Sequence, residues 1–150
     1  MKVRSAEERD FDAVVALLEE LGRAQVTDQT RARCRQIFEG HVRGQRAAAH
    51  LVAEDSHGFV VGFCSLHFRE RLNFPTEDAW IPDLIVTAPA RRRGAARMLL
   101  EEAERLARQR RCWQLTLESG YGRKEAHRLY LAFGMEDAGK MFWKRLRQRA

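Results

Sequence analysis

The chain has 150 residues, with 27 Lys and Arg against 21 Asp and Glu, for a net charge of +6. That length suits one domain with a true core. No apolar run approaches the roughly 18 residues of a membrane span, and Met1-Lys2-Val3-Arg4 leads into charged sequence instead of a signal-peptide core, so a soluble cytoplasmic protein is expected.

A short strand is expected at Lys2 to Arg4. Asp10 then reads as the N-cap of a helix whose apolar face is Phe11, Val14, Val15, Leu18 and Leu21, stopping near Gly22. A second helix is expected from about Asp28 to Phe38. Two β-like runs follow, "AAAHLVAED" and "FVVGFCSLHF", joined at Ser56-His57-Gly58 as a hairpin. Arg69 to Asp78, with Asn73, Pro75 and Thr76, reads as a loop, and Ala79 to Thr87 as the next strand.

Helical spacing then runs from Arg93 to Arg108, with Glu101 and Arg105, and Glu104 and Arg108, as four-apart pairs on the wet side. "CWQLTLE" is a strand, and "RKEAHRLYLAFG" a helix with Ala126, Leu129, Tyr130 and Phe133 on one face and Gly134 as its stop. "GKMFWKRL" reads as a closing strand. Antiparallel strands followed by β-α-β-α-β argue an α/β sheet of mixed direction with helices on its faces.

Charge and cysteines narrow the chemistry. Cys34, Cys64 and Cys112 are odd in number and widely spaced, so neither a disulfide framework nor a structural metal is indicated. The basic excess points to an anionic partner: nucleic acid, a membrane surface or a phosphorylated cofactor. Arginines gather at 91 to 93, 108 to 111 and 145 to 149, and most others interleave with glutamate as a solvated surface would.

The stretch "PDLIVTAPARRRGAARMLLEEAERLA" places Gly94 where an apolar strand gives way to a helix. A helix start offers unpaired backbone N–H groups and the positive end of the helix dipole. Gly94 there, with Ala95 and Ala96 behind it and arginines at 91 to 93 around it, fits a pyrophosphate. A plain turn in a solvated basic patch is the competing reading. Neither G-x-x-x-x-G-K-S/T nor a G-x-G-x-x-G after a strand is present, which speaks against nucleotide hydrolysis and dinucleotide redox chemistry.

Arg91-Arg92-Arg93-Gly94-Ala95-Ala96 resembles the Gln/Arg-x-x-Gly-x-Gly/Ala acetyl-CoA loop of the Gcn5-related N-acetyltransferases (GNAT), and "RKEAHRLYLAFGME" resembles their closing helix, Ala-x-x-Phe/Leu-Tyr-x-x-x-Gly-Phe/Met. The order of elements matches that family over nearly the whole chain. The resemblance implies a GNAT-like acyl-CoA N-acyltransferase fold over residues 1–150, an α/β fold with a mixed central sheet of about six to seven strands splayed between the fourth and fifth, and helices on both faces. Acetyl-CoA is the implied co-substrate: backbone groups of Leu84, Ile85 and Val86 would follow its pantetheine amides, and Arg91, Arg92, Arg93, Gly94, Ala95, Ala96 and Arg97 would surround its pyrophosphate.

Acetyl transfer to an amine needs a neutral nucleophile, a polarised thioester carbonyl and a protonated leaving thiolate. Tyr130 matches the family's tyrosine that protonates the departing sulfur. For the base, Glu118 and Asp83 stand at strand ends in neighbourhoods where relatives place a carboxylate, and a water relay is the third option. Two positions depart from the family pattern. Arg123 replaces an asparagine that contacts the cofactor and can instead meet a phosphate or an acidic substrate group; Pro82 replaces a common acidic residue. His127, one turn before Tyr130, reads as structural.

The segments that would shape the acceptor site, Asp10 to Gly44, Arg69 to Asp78 and Glu136 to Trp143, carry no motif for a particular molecule. "LESGYGRKEAHRLY" is similar to small members acting on small amines, which favours a small-molecule amine; a protein α-amine or lysine is the alternative. Two other classes stay open: a nucleic-acid or acidic-partner binding module, opposed by Trp113 and Phe133 lying in apolar patterns, and a non-catalytic acetyl-CoA-binding relative. Oligomeric state is left open by the sequence; the resemblance brings a homodimer into view.

Overall fold

The computed structural model describes residues 1–23, 26–44, 46–73 and 75–147; Arg149 of the last basic run lies outside them. In chain order come β1 (Lys2–Ser5), α1 (Phe11–Leu21), α2 (Arg31–Gly44), β2 (Leu51–Glu54), β3 (Val60–Cys64), β4 (His67–Arg69), β5 (Asp78–Ile81), β6 (Leu84–Val86), α3 (Ala95–Gln109), β7 (Leu115–Leu117) and α4 (Lys124–Ala132).

Every residue of β2 is buried, so the strand must be covered on both faces. Its alternation divides the cover: Val52 joins Phe63 and Ile85 beneath Phe11, Val14, Val15 and Leu17 of α1, while Leu51 and Ala53 join Leu99, Leu100 and Ala103 of α3. Close approach on the α3 side depends on Gly62, where an added Cβ would sit 3.2 Å from Leu99 Cδ1 and 3.3 Å from Ala53 Cβ.

Two sheets result, an antiparallel β1-β2-β3-β6 and a mixed β4-β5-β7. They are joined through two kinks. Ser65-Leu66 breaks β3 from β4, and Pro82-Asp83 breaks β5 from β6, where Pro82 has no N–H to give to a ladder. The kinks are tied to each other, since Ser65 N donates to Asp83 O at 2.9 Å and Asp83 N donates to Ser65 Oγ at 2.9 Å. Thus the expected runs Phe59 to Phe68 and Ala79 to Thr87 each form two short strands.

Other expectations change in detail. Asp10 does not cap α1 with its side chain. Its buried carboxylate accepts a fork from Arg4 at 2.7 and 2.9 Å and the Glu7 N–H at 2.7 Å, and Arg4 Nε also reaches Glu54 at 2.7 Å, so one guanidinium joins β1, β2 and the turn before α1. Burial alone would raise the Asp10 pKa, but the Arg4 and Glu7 hydrogen bonds outweigh it and hold the group below the ordinary aspartate range. The second helix starts later and runs longer than expected, after a turn in which Thr27 and Thr30 exchange side-chain and backbone hydrogen bonds.

Along α3, Arg108 pairs with Glu104 as expected, whereas Glu101 pairs with Arg97 and Arg105 turns to Glu102. The closing strand does not form. Gly139 to Leu146 has no ladder among the described residues, and Met141, Phe142, Trp143 and Leu146 are exposed. Three consecutive apolar side chains followed by Lys144 and Arg145 do not alternate, so neither face of such a strand would be wholly apolar. Among the described residues no helix is long and apolar enough to cross a membrane.

Candidate active site at the sheet junction

β5 and β7 pair in parallel from Ala79↔Leu115 to Ile81↔Leu117. Beyond that register the chains part, because β6 turns away through Pro82 to pair with β3, and β7 leads into the loop before α4. A narrow crevice lies at the parting, with Pro82 and Leu84 on one side, Glu118 and Ser119 on the other, Tyr130 reaching it from α4 and Arg123 from the residue before that helix. Among the described residues β6 has a strand on one edge only, and on the other edge Val86 O accepts from Arg91 Nε.

Tyr130 is held there by helix periodicity: Leu129, Tyr130 and Phe133 pack on the α3 side of the core. The helix ends where Gly134 adopts φ +96° and Met135 N donates to Tyr130 O at 3.0 Å. Burial pushes the phenol pKa up, against a smaller opposing pull from Arg123, so the group stays protonated through neutral pH. His127 bonds the Ser119 hydroxyl at 3.2 Å, joining α4 to the other wall.

The two candidate carboxylates stand in different settings. Glu118 lines the crevice and accepts Trp80 Nε1 at 2.7 Å. Asp83 is turned toward the sheet kink, where Ser65 Oγ lies 3.2 Å from its Oδ2 and Arg23 Nη1 is 3.8 Å from its Oδ1. Arg23 also donates to Pro82 O at 2.8 Å. Arg123 donates to Leu21 O at 3.1 Å, capping the end of α1 at the crevice mouth. Arg23 and Ser119 escaped the sequence reading; only the position of Arg23 just after the helix stop at Gly22 could have drawn attention to it.

After β6 the chain makes one turn of 3-10 helix, Ala88–Ala90, secured by Glu20 of α1, which accepts Thr87 Oγ1 and Ala88 N, both at 2.8 Å. Those bonds, the Ala88 N–H first, lower the Glu20 pKa and keep it charged beside Arg91, 3.5 Å away. Gly94 stands at the N-cap of α3 with φ +83°, and its carbonyl accepts the first helical bond, from Met98 N at 3.0 Å. The N–H groups of Ala95, Ala96 and Arg97 therefore precede the helix ladder, as an anion cradle requires. Around it, Arg91 Nε donates to Val86 O at 3.0 Å, Arg92 lies 3.3 Å from Glu125, Arg97 lies 2.9 Å from Glu101, and Arg93 is exposed.

An anion cradle at a helix start, a strand edge beside it and a protonated tyrosine across the crevice agree with the match of a model of the acetyltransferase (GNAT) family to residues 11–135, and the chain belongs to that family. It is 30% identical to the aminoalkylphosphonate N-acetyltransferase of Salmonella typhimurium over 97% of this chain and 91% of that protein. It is also similar to the uncharacterized N-acetyltransferase YhdJ of Bacillus subtilis, at 46% identity over 54 residues, 36% of this chain and 38% of that protein. Among solved structures, the aminoglycoside N-acetyltransferase AAC(6')-Iy in complex with CoA superposes with a TM-score of 0.79 at 17% identity, over 98% of this chain and 95% of that one.

Proposed function

We propose that this protein moves the acetyl group of acetyl-CoA onto the primary amine of a small molecule. The observation that carries the proposal is the crevice between β6 and β7, lined by both Glu118 and the half-buried, protonated Tyr130. Acetyl-CoA supplies the activated thioester. Of Leu84, Ile85 and Val86, the backbone groups on the side of β6 away from β3 would meet its pantetheine amides, with Arg91 releasing Val86 O, and the first turn of α3, with Gly94 and Arg91, Arg92, Arg93 and Arg97 around it, would receive its pyrophosphate.

Glu118 is the better-placed base, directly or through a water, because it lines the crevice whereas the Asp83 carboxylate is turned toward the sheet kink. Glu118 takes the proton that the amine sheds as its nitrogen bonds the carbonyl carbon. Tyr130 gives its proton to the sulfur as the C–S bond breaks.

The acceptor we assign is an amine that also carries an anionic group. Arg23 and Arg123 place two guanidinium groups at the crevice, and the Salmonella relative's name gives it an aminoalkylphosphonate substrate. Arg123 would exchange its bond to Leu21 O for that anion, which is a stronger, charge-assisted partner.

Thermal melts with acetyl-CoA, with ATP and NADH as polyanion controls, test the cofactor. Acetyl-CoA at ~100 times its Kd stabilises by about 2.7 kcal/mol, and equal shifts with all three would favour a nonspecific basic surface. CoA release is then followed with an aminoalkylphosphonate, a neutral alkylamine and a lysine peptide. Fastest turnover of the first supports the assignment; preference for the peptide replaces it with a protein substrate. Tyr130→Phe should cut kcat by about 10²- to 10⁴-fold, and selective acetyl-CoA binding without turnover of any amine would make the chain a cofactor-binding protein.

A further inference from the structure

We propose that His41, His50 and His67 form a binding site for one divalent transition-metal ion, Zn²⁺ by the chemistry of the donors, that clamps α2 onto the sheet. The three residues come from the end of α2, the segment entering β2 and the first position of β4, and the last two segments are joined by a bridge between Ala48 and His67. One ring nitrogen from each lies within 4.8 Å of the other two. Ring centroids are 5.0, 5.2 and 5.3 Å apart, and all three pairs meet at steep angles, so the rings converge instead of stacking.

His41 Nδ1 and His50 Nε2 are 3.0 Å apart and share one hydrogen bond, so these are the nitrogens an ion would meet, and His50 Nδ1 is buried on the other side of its ring. The surroundings are aromatic: Phe38 stacks on His50 at 6.2 Å, Phe63 meets it at 5.6 Å, and Trp80 lies 5.8 Å from His67. Imidazoles in an apolar shell are a strong donor set for zinc and its neighbours, and a poor one for magnesium or calcium.

The geometry is within reach. Ligand nitrogens about 2.0–2.1 Å from a tetrahedral ion stand roughly 3.4 Å from one another. The pair at 3.0 Å must open slightly and the third ring must swing inward, both side-chain rotations. Three protein ligands leave a fourth position for water. The clamp has a structural purpose, since α2 buries only Phe38 of its fourteen residues. Trp80 links the cluster to the crevice, with its ring 5.8 Å from His67 and its Nε1 on Glu118, so the ion would fix a residue beside the acceptor region without touching the reacting atoms.

The test reads metal binding in the full chain and does not depend on acetyl transfer. Protein stripped by chelator is titrated with Zn²⁺ by calorimetry and with Co²⁺ by visible absorption. One ion per chain, Co²⁺ bands of a four-coordinate site and a raised melting temperature are expected. His41→Ala and His67→Ala should each weaken binding at least about 100-fold, with His57→Ala on the exposed hairpin as the unchanged control; far-UV circular dichroism checks folding, and His41→Gln replaces any variant that fails it. Absence of Zn²⁺ binding at millimolar concentration, or binding that survives in both the His41 and His67 variants, would overturn the site.

Discussion

The two helices that carry the proposed site, α3 and α4, are held in different ways. α3 buries Ala95, Leu99, Leu100, Ala103 and Ala107 against the sheet, whereas no residue of α4 is fully buried. The proposed pyrophosphate site therefore stands at the start of a deeply packed helix, and Tyr130, the proposed proton donor, rides on the shallowest one. One helix is a fixed reference and the other is free to adjust, the usual division between a scaffold and a segment that answers a ligand.

The largest expected effect separates the two helices by packing. Leu99→Ala empties a site with no solvent exposure and should cost about 2–5 kcal/mol in urea unfolding, whereas Leu129→Ala on α4, half-buried, should cost less than about 2 kcal/mol. Equal losses would show that α4 is as deeply anchored as α3.

A smaller effect separates the helices by function. Gly94 and Gly134 both hold left-handed backbone, at φ +83° and +96°, with open space where a Cβ would go. Alanine at either should cost about 1–2 kcal/mol from the backbone alone. Only Gly94→Ala should also raise the KM for acetyl-CoA, because only Gly94 opens the anion cradle. A matching rise in Gly134→Ala would move the pyrophosphate away from α3.

The pH responses should differ in sign. Asp10 in the scaffold has a folded pKa below its unfolded value, so its contribution is complete above the unfolded value and is lost as pH falls through the folded one. Melting temperatures between pH 5 and pH 2 should therefore drop more steeply in the native chain than in Asp10→Asn. Tyr130 has a folded pKa above its unfolded value, so its contribution is complete below the unfolded value and disappears as pH rises through the folded one. Alkaline melts should favour Tyr130→Phe over the native chain, with the difference fading toward neutrality.

What the sequence revealed and concealed follows from distance along the chain. α3, its Gly94 start and the Gly134 stop are written in local periodicity and in glycines that take left-handed backbone. Tyr130 was drawn from a local motif and Glu118 from its place at a strand end, and both line the crevice. Asp10 was read as a cap because capping is a local rule, but its carboxylate is taken by Arg4 from the preceding strand. The histidine cluster was invisible because positions 41, 50 and 67 belong to three elements with no ligand spacing between them. Likewise, the two kinks that part the sheets rest on Ser65 and Asp83, eighteen positions apart.

The smallest expected effect tests the chain beyond the lightly held helix. Phe142 is 89% exposed, and Met141 and Trp143 beside it are also open to solvent. An apolar side chain that leaves water neither on folding nor on binding contributes almost nothing, so Phe142→Ser should move stability by no more than about 0.5 kcal/mol. It should also leave sedimentation unchanged. A large loss of stability at all protein concentrations would mean that the segment folds back on its own chain, giving α4 the cover it lacks. A loss that grows on dilution would place the segment against a second copy, and the helix that carries Tyr130 would then be covered by assembly.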